Sequence, residues 1–324
     1  MIRAVKVPRL AAAGAAAGAL ALSCTQAARP GAGVRAIAAP NLSSPLVEEY
    51  PPAAEPRDPL KAALFERINR DRASYRLAPV LWDERASAVA DGFCAQQVRE
   101  GSHGHYLTDG LPPYARMAFA GVFGLGSENS AYTFTSGSWG ERSYVHLALS
   151  AHDRMMAERP PQDGHRRAIL DPKATHVGVG YAGKGGTFQM SEEFFIRRLD
   201  RLALSRSSEG LPVVVFEGRV RTPDRIQFVT IAREPEPHGL TAEEASSRTR
   251  YAYPRPAEAY VPEGMNRLVI EGSATHDLLR VRRDREFSFT YTPAAPGLFT
   301  FVFYVSPKES ETFLEAGSAA VLFR

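Results

Sequence analysis

The residues in this chain best suited to act together chemically are two histidines and a Glu-Asn pair, each beside small residues that let backbone approach closely. They lie in Gly104-His105-Tyr106, Ser127-Glu128-Asn129 and Gly164-His165-Arg166. Imidazole paired with carboxylate either binds a divalent metal or moves protons. Both uses require convergence in space. His105 and His165 are sixty positions apart, so only the fold can bring them together. His103 could exchange roles with His105, whereas His152 falls on an apolar helix face and reads as a satisfied core residue. Among the expected mature residues there is no Gly-rich phosphate loop, Cys-pair zinc motif or Gly-x-Ser-x-Gly elbow, which narrows the enzyme classes open to the chain.

Several elements must position these groups. Asp58-Pro59 reads as a helix start, with Leu60, Leu64 and Ile68 forming one apolar stripe. Asn69 to Arg72 read as its polar close. Asp83 caps a second helix that runs to about Glu100 and ends at Gly101, leaving His105 just past its C-terminal end. A short Pro-started helix from Pro113 to Ala120 is followed by a glycine-rich turn, Gly121 to Gly126, from which Glu128 emerges. The next helix spans Glu141 to Glu158. Pro160-Pro161 stop it, and Gly164-His165 opens the following turn, so His105, Glu128 and His165 all read as loop positions, the places from which function projects. Val177-Gly178-Val179-Gly180 alternates as a strand, and the Gly185-Gly186 turn returns it as a hairpin. The two strand glycines leave one face bare for a close neighbour. Helices flanking a small sheet predict a layered α/β sandwich over residues 58–200.

Beyond Leu204 helical periods are scarce. Short β-type runs such as Phe287 to Tyr291 and Phe299 to Val305 alternate large and small residues, and they predict an antiparallel β-sandwich over 201–324 with no catalytic constellation. The fold class is therefore α+β.

Residues 1–27 carry Arg3, Lys6 and Arg9 ahead of an Ala-rich apolar run, the pattern of a secretory signal. The run is too short to span a bilayer comfortably. Residues 28–57 are rich in Ala and Pro and read as a flexible linker. Cys24, preceded by Ala21-Leu22-Ser23, resembles a bacterial lipobox lacking its usual leucine. Either Cys24 is lipidated, or cleavage after Ala27 discards it. The protein is thus expected to be exported: secreted, periplasmic or lipid-anchored at the envelope, touching a membrane only through an anchor at Cys24. Cys94 then has no partner and reads as a small buried hydrophobe. Subtracting the three leader cations from 39 basic residues leaves 36, equal to the 36 acidic ones, so the charge gives no argument for nucleic acid.

The sequence resembles the CAP superfamily (cysteine-rich secretory proteins, antigen 5, pathogenesis-related 1; SCP-like) in its bacterial secreted branch. The matching pieces occur in order. They are Ile68-Asn69-Arg70-Asp71-Arg72 with Leu81-Trp82-Asp83; His105 with Asp109-Gly110 and Arg116-Met117; Glu128-Asn129; Gly164-His165-Arg166 with Ile169-Leu170-Asp171-Pro172; and Val177-Gly178-Val179-Gly180. The resemblance implies an α-β-α sandwich whose central cleft, lined by two histidines and two acids, takes a divalent cation such as zinc. His105 and His165 match the histidines and Glu128 the first acid; the second is Glu158 or Asp163. Ser127 and Ala168 depart from the family pattern. Three functions follow as expectations. One is a binding module for a metal, small ligand or cell-surface component. Another is a metal-assisted hydrolase in which Glu128 or Glu158 activates a bound water. The third is lipid or sterol carriage.

Overall fold

The structure is a computed structural model that describes residues 45–49, 54–140, 143–206, 213–264, 273–282, 285–307 and 312–324. The expected signal segment and Cys24 lie outside the described residues. The first element among the described residues is strand β1, Leu46–Glu49. It falls within the stretch read as a flexible linker, and it is ordered because Leu46 to Glu49 pair antiparallel with Leu204 to Arg201.

Helix α1, Pro59–Ser74, is capped by the Asp58 side chain, which accepts from the backbone of Leu60 and Lys61. Its stripe of Leu60, Leu64 and Ile68 is buried as the spacing predicts. The polar close has a different role. Arg72 is fully buried, and its guanidinium donates to the carbonyls of Ala78, Ile169 and Asp171 at 2.7–3.0 Å, tying α1 to the segment after His165. The two-residue strand β2, Leu81–Trp82, leads to helix α2, Glu84–Glu100, which Asp83 caps and Gly101 ends at φ 71°. Helix α3, Pro113–Phe119, precedes strand β3, Leu125–Phe134. Helices α4, Tyr144–Met156, and α5, Gly164–Ile169, lead to the hairpin of β4, His176–Lys184, and β5, Thr187–Ile196.

These strands form a four-stranded sheet in the order β2-β4-β5-β3, with β3 at its edge. Helix α2 lies against Gly178 and Gly180, where a Cβ would overlap the backbone of Ala86 and Ala90. That is the close neighbour the bare strand face predicts. Leu64 and Ile68 of α1 and Ala148 and Ala151 of α4 share the opposite core with Val177, Val179 and Met190. The result is three layers, α-β-α.

The C-terminal strands are β6, Leu199–Arg206; β7, Val214–Val220; β8, Arg225–Glu234; β9, Glu258–Pro262; β10, Ala274–Arg282; β11, Glu286–Tyr291; β12, Gly297–Ser306; and β13, Leu314–Phe323. Helix α6, Ala242–Ser247, lies between β8 and β9. With β1 they make one nine-stranded sheet, ordered β1-β6-β7-β11-β10-β9-β8-β12-β13. The region is strand-rich as read from sequence, but its facing layers are halves of one curled sheet, and β9 pairs parallel with β10. Phe216 of β7 meets Phe301 of β12 at 4.5 Å between ring centroids, although four strands separate β7 from β12 in the sheet. Only curling about a common core brings them together.

The two sheets are joined closely. β6 starts at Leu199, directly after β5 ends at Ile196. Buried Arg197 between them pairs with Asp83 of the α2 cap and Glu48 of β1. Lys173 pairs with Glu315 at 3.2 Å. No helix among the described residues is long and apolar enough to cross a membrane.

Candidate functional site

The site is built around edge strand β3, whose alternation sends neighbouring side chains to opposite faces of the sheet. On one face stands Glu128, and directly across the ladder on β5 stands Glu193. His105 reaches Glu128 from the loop after α2. Gly101 and Gly104 turn that loop at φ 71° and 86°, and the Gln97 amide donates to the Gly104 carbonyl at 2.8 Å. His105 Nδ1 lies 2.8 Å from Glu128 Oε1. Arg116 of α3 binds the other oxygen of the same carboxylate, and its guanidinium lies 3.8 Å over the Phe93 ring. His105, Arg116, Glu128 and Glu193 are each no more than 3% exposed.

Burial sets the protonation of this cluster. Desolvation raises the Glu128 pKa, and the adjacent Arg116 cation opposes that rise. Desolvation and then the Glu128 charge drive Glu193 well above the ordinary carboxylate range. Glu193, which accepts from Ser191 Oγ at 3.0 Å, is therefore the member biased toward the neutral acid. Desolvation and then Arg116 lower His105 to about 4, so its imidazole is neutral near pH 7. Facing a carboxylate, Nδ1 carries the ring proton and Nε2 keeps its lone pair.

Across the strand Asn129 points to the other face, and its amide donates to the His165 carbonyl at 3.2 Å and to Glu192 Oε2 at 3.0 Å. His165 Nδ1 is bound to Glu158 Oε1, and Glu158 Oε2 accepts the His165 backbone N–H at 3.0 Å. Glu158 is thus the carboxylate on His165. Asp163 instead pairs with Arg167 at 3.3 Å. Deeper on this face, buried His152 bridges Glu192 at 2.7 Å and Asp71 at 3.0 Å, the satisfied core residue its helix position predicts. Cys94 is fully buried, and desolvation holds its thiol well above the ordinary value.

The loop expectation holds for His105 alone. Glu128 sits within β3, and His165 sits inside α5. The glycines before Glu128 read as a turn, yet Gly124 and Gly126 are strand-side glycines against which Phe195 packs, leaving no room for a Cβ. His103 stacks on Tyr132 at 5.2 Å and takes no part in the pair with Glu128.

Three contributors were given no site role by the sequence, although Arg116 lies in one of the family-like pieces. Arg116 and Glu193 complete the buried cluster. The signal for Glu193 was the acidic pair Glu192-Glu193 directly before the apolar run Phe194-Phe195-Ile196. The third is Tyr251, from the region read as lacking any constellation. Its ring meets His105 edge-on at 5.0 Å, and its hydroxyl accepts the Glu128 backbone N–H. Tyr253 does the same for Gly126 at 3.0 Å. Nothing in sequence spacing marks a residue 123 positions from its partner.

The donor set decides what metal arrangement fits. Among the described residues no group of three or more His, Cys, Asp or Glu side chains is placed to hold a metal ion. Both carboxylates are engaged with Nδ1 of their histidines, Glu128 with Arg116 as well. A cage of all four residues does not fit. Each imidazole, oriented from behind by a carboxylate on Nδ1, keeps Nε2 as a donor of the type a divalent cation takes.

Residues 65–196 match the CAP family, the cysteine-rich secretory protein family. Similar solved structures include an extracellular SCP-domain protein from Bacillus anthracis str. Ames, at 19% identity and a TM-score of 0.32, covering 44% of this chain and 45% of that one. Another is MpPR-1i, at 17% identity and a TM-score of 0.28, covering 42% of this chain and 92% of that one. The chain thus spans less than half the length of the first of these. No match is found among curated proteins.

Proposed function

We propose, from the premise that residues 65–196 form a CAP-family domain, that this is an exported binding protein whose ligand is recognised by His105 and His165. One observation carries the reading: each imidazole is fixed through Nδ1 by a buried or half-buried carboxylate, on the two sides of strand β3. Such pairing fixes the tautomer and ring orientation. A divalent cation such as zinc would be held by Nε2 of His105 and of His165. When bound it would supply a Lewis acid to a small ligand. Glu128 and Glu158 act as orienting groups.

A binding role is preferred to hydrolysis because neither carboxylate is free to act as a base. Arg116 and His105 hold Glu128, while His165 holds Glu158 through ring and backbone. Calorimetric titration of the purified chain with zinc tests the reading. His105→Ala and His165→Ala are each expected to weaken binding strongly. Glu158→Gln is expected to weaken it by about 10- to 100-fold, the usual effect of losing an outer-shell partner. Unchanged zinc affinity in both histidine variants would sink the proposal.

A further inference from the structure

A second concavity adjoins the imidazole region, where the end of the four-stranded sheet meets α5 and the segment carrying Tyr251 and Tyr253; Tyr251 of its wall turns its ring to His105. Its volume is about 510 Å³, inside the range of roughly 300–1,000 Å³ typical of small-molecule sites. None of His105, Glu128, Glu158 or His165 lines it. Its walls are mainly apolar: Leu125, Leu170, Phe194, Ile196, Tyr251 and Tyr253.

The charges on the wall are unequal. Arg166, Arg167 and Lys173 face Asp171 and Glu315. Lys173 is held by Glu315 at 3.2 Å, and Arg167 by Asp163 at 3.3 Å. Asp171 Oδ1 accepts the Lys173 backbone N–H at 2.9 Å. Arg166 differs. Its side chain lies over the exposed Tyr75 ring at 5.2 Å and donates to that hydroxyl at 2.8 Å, and among the described residues no carboxylate pairs with its guanidinium. Its Nε is buried without a hydrogen-bond partner. A half-exposed guanidinium at the rim of an apolar wall, paired with no carboxylate, is the natural partner of a carboxylate or sulfonate. The hydroxyls of Tyr251 and Tyr253 are already engaged by strand β3, so these rings offer the pocket apolar surface.

We propose that this pocket binds a compact apolar organic monoanion, an aryl or branched-alkyl carboxylate or sulfonate, with its charged group on Arg166 and its body against the tyrosines and the sheet end. The site belongs to this chain's own two-sheet arrangement, since the C-terminal region supplies one wall.

Two fluorescent probes that differ only in charge test this on the full chain. They are 1-anilinonaphthalene-8-sulfonate and its uncharged counterpart N-phenyl-1-naphthylamine. The expected result is saturable single-site binding of both. Arg166→Gln should weaken the sulfonate about tenfold or more, the loss of a charge-assisted contact, and leave the neutral probe nearly unchanged. Arg166→Lys should restore part of the sulfonate affinity. Ala252 is exposed on the pocket wall, so Ala252→Trp should abolish binding of both probes while leaving the melting temperature unchanged. His105→Ala should leave both probes bound, which separates this pocket from the imidazole site. Equal binding of the two probes to the Arg166→Gln and parent chains, or probe binding that survives Ala252→Trp, would overturn the proposal.

Discussion

The four-stranded and nine-stranded sheets bury different groups. Inside the first, polar and ionisable groups are packed against one another: Arg116, Glu128, Glu193 and His105 on one face, His152, Glu192 and Asp71 on the other. Inside the second, rings pack against rings, with Phe216 lying 4.5 Å from both Phe289 and Phe301. A hydrophobic core stabilises without caring which partner is where, whereas a buried polar network is stable only when every member is matched. The first sheet therefore fixes the orientation of particular atoms, and the second supplies a wall against which that network is held.

This contrast can be broken most directly at its two centres. Arg116→Met should cost roughly 3–5 kcal/mol in urea unfolding, because it leaves Glu128 buried without its cation. Adding Glu128→Gln should recover a substantial part of that loss. Phe216→Ala should cost a similar 3–5 kcal/mol through its cavity. If the Arg116→Met/Glu128→Gln chain is no more stable than Arg116→Met, charge matching is not what the first sheet depends on.

Acid sharpens the same difference. His176 is buried, and desolvation followed by the Arg197 charge lowers its pKa from an ordinary 6.5 to about 3. The unfolded chain therefore takes up this proton first as pH falls. The stability contributed by neutral His176 is whole above pH 6.5 and is lost progressively down to pH 3. The full effect is roughly 3–5 kcal/mol, and His176→Gln should flatten the unfolding free energy against pH across that window. An unaltered slope would show that His176 is already protonated when folded.

Smaller effects are expected where backbone and hydroxyl fit closely. Gly180→Ala should cost about 1–3 kcal/mol, since its new methyl would push α2 off the strand. Thermal denaturation reads this, and a neutral outcome would mean that α2 is free to shift. Tyr251→Phe removes the acceptor for the Glu128 N–H and should cost about 1 kcal/mol. No change there would mean that water replaces the hydroxyl.

What the sequence made legible was local. Helices α1 and α2 could be placed because Asp58, Asp83 and Gly101 mark their ends and apolar spacing marks their faces. Gly178 and Gly180 announced a close neighbour, and His105, Glu128, His165 and Glu158 could be named through the family resemblance. Less legible was anything decided by a distant partner. Gly124 and Gly126 look like a turn until Phe195 is seen against them. Leu46 to Glu49 look like linker until β6 supplies a pairing edge. The single curled sheet depends on which of its strands adjoin, and alternation along each strand does not encode that order.

The hydroxyls of Tyr251 and Tyr253 carry one more consequence. They hold the outward N–H groups of Glu128 and Gly126, which on an edge strand would otherwise face solvent or invite another strand. Those two amide hydrogens should therefore exchange with solvent only when the tyrosine segment lifts, at a rate set by that local opening and not by melting of the sheet. Their exchange rate would report how often the tyrosine segment leaves the edge of β3, and any strand pairing at that edge would need the same opening.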